Sequence, residues 1–128
     1  MNQLKQILHW TLRFIPAIIM VQTLWFKFTG APESIYIFET VGMEPWGRYG
    51  SGITELIAAV LLVIPSKSVY GAVVGMGVIG GAIFFHLTKL GIEVQHDGGQ
   101  LFILAVVTFV CCAIVAFQER KTLMRLIS

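Results

Sequence analysis

Long apolar stretches separated by short polar ones run the length of this chain. ILHWTLRFIPAIIMVQTLWFK occupies about residues 7–27, and further stretches cover about 49–64, 70–89 and 101–117. A helix needs about 20 predominantly apolar residues to cross the hydrocarbon core of a bilayer, and these stretches meet or approach that length. PSKS (65–68) and LGIEVQHDGGQ (90–100) read as the turns between the later ones. The connection 30–48 has its own pattern. Pro32 suits the first position of a helix, and PESIYIFETVG sets Ile35, Phe38 and Val41 at helical spacing. That predicts a short interfacial helix. The expected fold is all-α: a single-domain integral membrane four-helix bundle with this short helix between its first and second spans.

Composition agrees with that pattern. Of the 128 residues, 56% are hydrophobic and 12% charged, against about 25% charged in a typical soluble domain. A chain this short has too much surface to hide so many apolar residues in a water-soluble core. The formal net charge of +2 is too small to suggest a nucleic-acid partner, and no basic run, zinc-finger spacing or other metal-ligand set accompanies it.

The first span also resembles a signal peptide, with Lys5 before it and the small residues Thr29 and Ala31 after it. Pro32 would then directly follow the cut, and Arg13 interrupts the apolar region, so we read the span as retained. Cationic residues favour the cytoplasmic side of a membrane. With both termini cytoplasmic, the inner side carries Lys5, Lys67, Arg120, Lys121 and Arg125. The outer loops carry Arg48 and the borderline Lys27 and Lys89, beside Glu33, Glu39, Glu44, Glu93 and Asp97. In a bacterium this is a multi-pass protein of the cytoplasmic (inner) membrane with acidic periplasmic loops.

This topology gathers polar residues that are far apart in sequence. Lys27 ends the first span at the outer face, and Gln22 lies just over one turn below it. Glu55 lies about 9 Å into the second span at 1.5 Å per residue. His86 precedes the outer end of the third span, and Gln100 opens the fourth beside His96 and Asp97. All therefore share one outer layer. Ionisable groups at membrane depth face the bundle interior and pair with one another. Glu55 is expected to pair with Lys27, His86 or Tyr49, or with a water held among them. An ionised, paired carboxylate and a protonated one both meet this constraint.

One reading of the layer is a clasp that fixes the register of four apolar helices. The other is a ligand site: Gln22, Lys27, Glu55, His86 and Gln100 form a polar floor, and Trp25, Phe26, Trp46 and Phe85 line an apolar wall, with Phe28 and Phe84 nearby. Apolar walls with a few placed polar groups are typical of ligand pockets, although aromatic residues also populate interfacial belts. Arg13 is expected to reach the inner headgroups by extending its side chain, Pro16 to kink the first helix, and His9 and Trp10 to sit at the inner interface.

Small residues mark the third span. Gly71-x-x-x-Gly75 and Gly77-x-x-x-Gly81 suit close helix approach, either inside the bundle or at a homodimer seam. Cys111 and Cys112 are adjacent, not Cys-x-x-Cys. They read as packing residues, with a vicinal disulfide or quinone-linked thiol pair as the alternative.

Taken in order, RFIPAI, WFKFTGAPE, TELIAAVLLVIP, FFHLTKL and QHDGGQLF resemble the DoxX family of small four-helix bacterial membrane proteins over about residues 8–118. Lys27 matches the lysine at the end of that family's first helix, and Glu55 the glutamate of its second. Gln22-Thr23 and Ala58-Ala59 stand where the family pattern has glycine. The resemblance implies a four-helix bundle in the cytoplasmic membrane. It also implies quinone-linked sulfur oxidation, a partnership with redox or stress-defence proteins, or, from distant animal relatives, assembly of membrane proteins.

The function expected first is therefore a membrane subunit or scaffold supporting a redox or stress-defence system, binding quinone or another lipid-like molecule at the outer layer. The alternatives are an assembly factor acting through helix–helix contacts, with a membrane or periplasmic protein partner, and a proton or small-solute transporter. A stand-alone oxidoreductase fits least, since haem, flavin, nicotinamide and Cys-x-x-Cys motifs are all missing.

Overall fold

The computed structural model describes residues 3–64, 66–92 and 98–127. Pro65 and the loop residues Glu93, His96 and Asp97 lie outside them, so the expected position of His96 and Asp97 beside Gln100 does too. The described chain is all-helical. Helix α1 spans Gln3–Thr29, about 40 Å at 1.5 Å per residue. Lys27 sits in its last turn, where a cation complements the helix dipole. Helix α2, Pro32–Thr40, is the expected short helix, with Pro32 at its first turn.

Helix α3 spans Trp46–Val63 and α4 spans Ser68–Phe85. A π-helical turn, His86–Leu90, continues α4. It stops at Gly91, whose φ of +82° a side chain would resist. Helix α5, Gln100–Gln118, is followed by α6, Arg120–Ile127.

Gln3–Thr29, Ser68–Leu90 and Gln100–Gln118 are long and apolar enough to cross a membrane. They correspond to the first, third and fourth expected spans, and they are compatible with a multi-pass membrane protein. Helix α3 is not among them, although 49–64 was expected to qualify. Its first turns carry Arg48, Ser51, Thr54 and Glu55, which dilute the apolar run that follows.

The long helices pack in a closed cycle, α1 on α3, α3 on α4, α4 on α5, and α5 on α1. Met20, Ala58, Leu62, Ala72, Cys112 and Val115 meet at its centre. Cys111 and Cys112 are free, buried thiols. The outer surface is apolar on every long helix, as at Ile18, Ile57, Val73 and Val110. Helix α3 shares in this through Ile53, Leu56, Ile57 and Val60.

The glycines divide into two groups. A Cβ on Gly71 would lie 2.6 Å from the Leu62 nitrogen and 2.7 Å from the Ala58 oxygen, so α3 and α4 touch backbone to backbone there. Gly75 faces Cys112 Sγ and Met20. Gly77 and Gly81, grouped with them by spacing, have open space where a Cβ would be.

Arg13 departs from expectation. It is buried, 1% exposed, and does not extend to a surface. Its Nε donates to the Leu62 carbonyl at 2.7 Å, and its guanidinium lies 3.8 Å from the centre of the Trp10 ring. Leu62 is in the last turn of α3, where carbonyls lack intrahelical donors. At the same end of the bundle, His9 Nδ1 is 2.7 Å from Gln118 Oε1, and its Nε2 is 3.5 Å from Glu119. Ser68 donates to Glu119. That end is thus tied across α1, α4 and α5.

Candidate functional site

Glu55 projects from the middle of α3 and is 3% exposed. Both of its oxygens are held from α1. Lys27 Nζ lies 2.5 Å from Oε1, and Thr23 Oγ1 is 3.0 Å from Oε2. Thr23 and Lys27 are four residues apart and so share one face of α1. The Thr23 hydroxyl also lies 2.8 Å from the Met20 carbonyl, so its single proton is shared between the two acceptors. The carboxylate therefore has a charged and a neutral donor, the pairing that makes a buried charge tolerable.

His86 and Tyr49 do not provide that pairing. His86 is buried in the π-helical turn, with Nδ1 3.0 Å from the Gly91 carbonyl and its ring edge-on to Phe102. No described contact joins it to Glu55. Tyr49 is exposed, stacks on Phe28 and carries the Arg48 guanidinium over its ring. Arg48 itself is buried. Its Nε and Nη2 engage Glu44, with the Nη2 contact at 2.8 Å, and Nη1 donates to the Lys27 carbonyl. The Glu44 hydrogen bond raises the Arg48 pKa above its ordinary value. This arginine ties the α2–α3 connection to the end of α1.

A cavity of about 650 Å³ lies against the Glu55–Lys27 pair. Gln22, Lys27, Glu55, His86 and Gln100 all line it, although they come from four helices. Phe26 and Phe85 form part of its wall. Trp25 and Trp46 do not: they are 70% and 64% exposed, on the outside of the bundle. Gly77 and Gly81 also line the cavity, which accounts for the open space beside them.

Other lining residues carry weaker sequence signals. Helix α2 covers one side through Ser34, Ile37 and Phe38, with the exposed Glu33 at the rim. Thr108 lines the cavity from α5. Its only signal is a hydroxyl on the same helical face as Leu101, Leu104 and Ala105 in an otherwise apolar run. Chemically, the site offers an ion pair, an imidazole, amides and hydroxyls inside apolar walls. Among the described residues, no cluster of His, Cys, Asp or Glu could hold a metal ion.

No protein-family model matches the chain, and no curated protein or solved structure is similar to it.

Proposed function

We propose that this chain is a DoxX-like four-helix protein of the bacterial cytoplasmic membrane, with both termini cytoplasmic. In this reading it binds a lipid-like molecule, such as a quinone, in the cavity beside Glu55. It serves as a membrane subunit or scaffold for a redox or stress-defence partner rather than as a stand-alone catalyst. One observation carries the reading: a single cavity of about 650 Å³ is lined by all five polar residues of the predicted outer layer and by apolar side chains. A clasp needs no such volume. Pockets of roughly 300–1,000 Å³ with mostly apolar walls and a few polar groups are the usual form of small-molecule sites.

The glycines support this reading over one based on helix association. Gly71 and Gly75 are engaged within the chain, and Gly77 and Gly81 border the cavity.

Native mass spectrometry of protein purified in mild detergent, beside Glu55→Gln, tests the proposal. A discrete apolar molecule on the wild type, missing from a folded variant, is the expected result. A ligand-free wild type whose variant is merely less stable would make the Glu55–Lys27 pair a clasp and overturn the reading.

A further inference from the structure

We propose that the end of the bundle formed by α6 and the α3–α4 turn binds an anionic phospholipid, whose phosphate is received by Lys67, Arg120 and Lys121. This site lies at the opposite end of α5 from Gln100 and does not depend on what the Glu55 cavity takes.

Contacts across the bundle bring these cations to one place. Ser68 donates to Glu119, so their chain neighbours Lys67 and Arg120 flank a single contact. Lys121 follows Arg120 in the first turn of α6. The start of α1 reaches the same end, because His9 meets Gln118 and Glu119, and Lys5 lies one turn before His9. Arg125, in the last turn of α6, adds another exposed cation.

Charge at this end is unbalanced. Among the described residues, Glu119 is the one carboxylate there, and it already engages Ser68 and His9. No described carboxylate pairs with Lys67, Arg120 or Lys121, and all three are exposed. At the other end Lys27 and Arg48 are paired with Glu55 and Glu44, while Glu33 and Glu39 are exposed. Those carboxylates disfavour an anion there.

The apolar surface beside the cations distinguishes a lipid from a soluble anion. The Arg120 guanidinium lies 4.2 Å from the centre of the Phe117 ring, and its Nη1 donates to the Phe117 carbonyl at 2.8 Å. Phe117 is 65% exposed. Lys67 Nζ lies 5.7 Å from the centre of the Tyr70 ring. Met124, also exposed, is one turn from Arg120 and so shares its face of α6. A phosphate head fits the guanidinium and ammonium groups, and acyl tails continue along Phe117 and Ile114 onto the apolar exterior. A nucleic acid or acidic protein would cover the cations and leave those apolar side chains in water. Helix α6, RKTLMRLI, is basic and amphipathic, as are helices that lie along a membrane surface. Each Lys or Arg near such a surface is worth about fivefold in affinity for anionic lipid.

Native mass spectrometry of the full chain in a neutral detergent tests this, with phosphatidylglycerol and phosphatidylcholine of the same acyl chains titrated in turn. The first phosphatidylglycerol is expected to bind about tenfold more tightly than phosphatidylcholine. Lys67→Gln/Arg120→Gln/Lys121→Gln should abolish that preference. Lys121→Glu, a change at one exposed side chain, should lower it even where the triple variant does not fold. Lys89→Gln, which removes an exposed cation at the other end, should leave it intact. Raising the ionic strength should narrow the preference, because salt screens exposed charges. Equal retention of the two lipids by the wild type, or an unchanged preference in Lys121→Glu, overturns the proposal. So does displacement of phosphatidylglycerol by an equal concentration of glycerophosphoglycerol, its head group without tails, since the site would then be one for soluble anions.

Discussion

Arg13, Arg48 and Glu55 are buried charged side chains, each held by a helix-end or cross-helix partner, although Arg13 Nη2 is buried without a hydrogen bond. Arg13 caps the Leu62 carbonyl at the end of α3, and Arg48 caps the Lys27 carbonyl at the end of α1. Both carbonyls lie where the helix dipole is negative and intrahelical donors are missing. An arginine suits such a position because its charge persists and its planar fork reaches several acceptors. Glu55 relies on Lys27, so the two should be coupled in stability. Lys27→Met leaves a buried carboxylate without its cation. Removing one partner of a buried pair costs about 3–5 kcal/mol in soluble proteins, while polar contacts in a membrane average about 0.6 kcal/mol. Lys27→Met is therefore expected to destabilise the protein by an amount within that span. The double variant Lys27→Met/Glu55→Met should recover part of the loss. Unfolding titrations in mixed micelles of the singles and the double would measure this, and an additive double would show that the pair is not energetically coupled.

At the scale of elements, backbone contact and empty space alternate along α4. Gly71 touches the α3 backbone, which cannot yield as a flexible side chain can. Gly71→Ala should separate the two helices and cost about 1–3 kcal/mol, as overpacking does. Gly77→Ala meets open space and should be neutral or gain up to about 1 kcal/mol from helix propensity. The same unfolding titration separates the two. Equal effects would mean that α3 and α4 do not approach at Gly71 as described. The π-helical turn at His86–Leu90 belongs to this scale too. Such turns often occur at functional sites, and here one holds His86 at the cavity with its Nδ1 tied to Gly91.

For the whole molecule, the apolar exterior is the governing feature. Apolar residues are exposed on α1, α3, α4 and α5 alike, far beyond the patches that a soluble monomer tolerates. Three helices have the length and composition to cross a membrane, and the proposed topology requires α3 to cross as well. Single cysteines in a background lacking Cys111 and Cys112 test that point. A membrane-impermeant thiol reagent on intact cells should label Thr40→Cys and leave Lys67→Cys unlabelled until the membrane is permeabilised. Labelling of both would mean that α3 returns to the side it started from.

The helical class, the approximate extents of the long helices and the short helix at Pro32 follow from local patterns in the sequence, and counting residues along successive helices brought together Lys27, Glu55, His86 and Gln100, which line one cavity. Tertiary structure alone decided which groups touch. It paired Glu55 with Thr23 as well as Lys27, and turned His86 toward Gly91. It placed Arg13 beneath α3 rather than at a headgroup, and separated Gly71 and Gly75 from Gly77 and Gly81. The reason is rotational. Depth grows by a fixed rise per residue, but the direction a side chain faces depends on how each helix turns about its axis to pack. That rotation also leaves the cavity unfilled, and so no apolar count along the chain could reveal it.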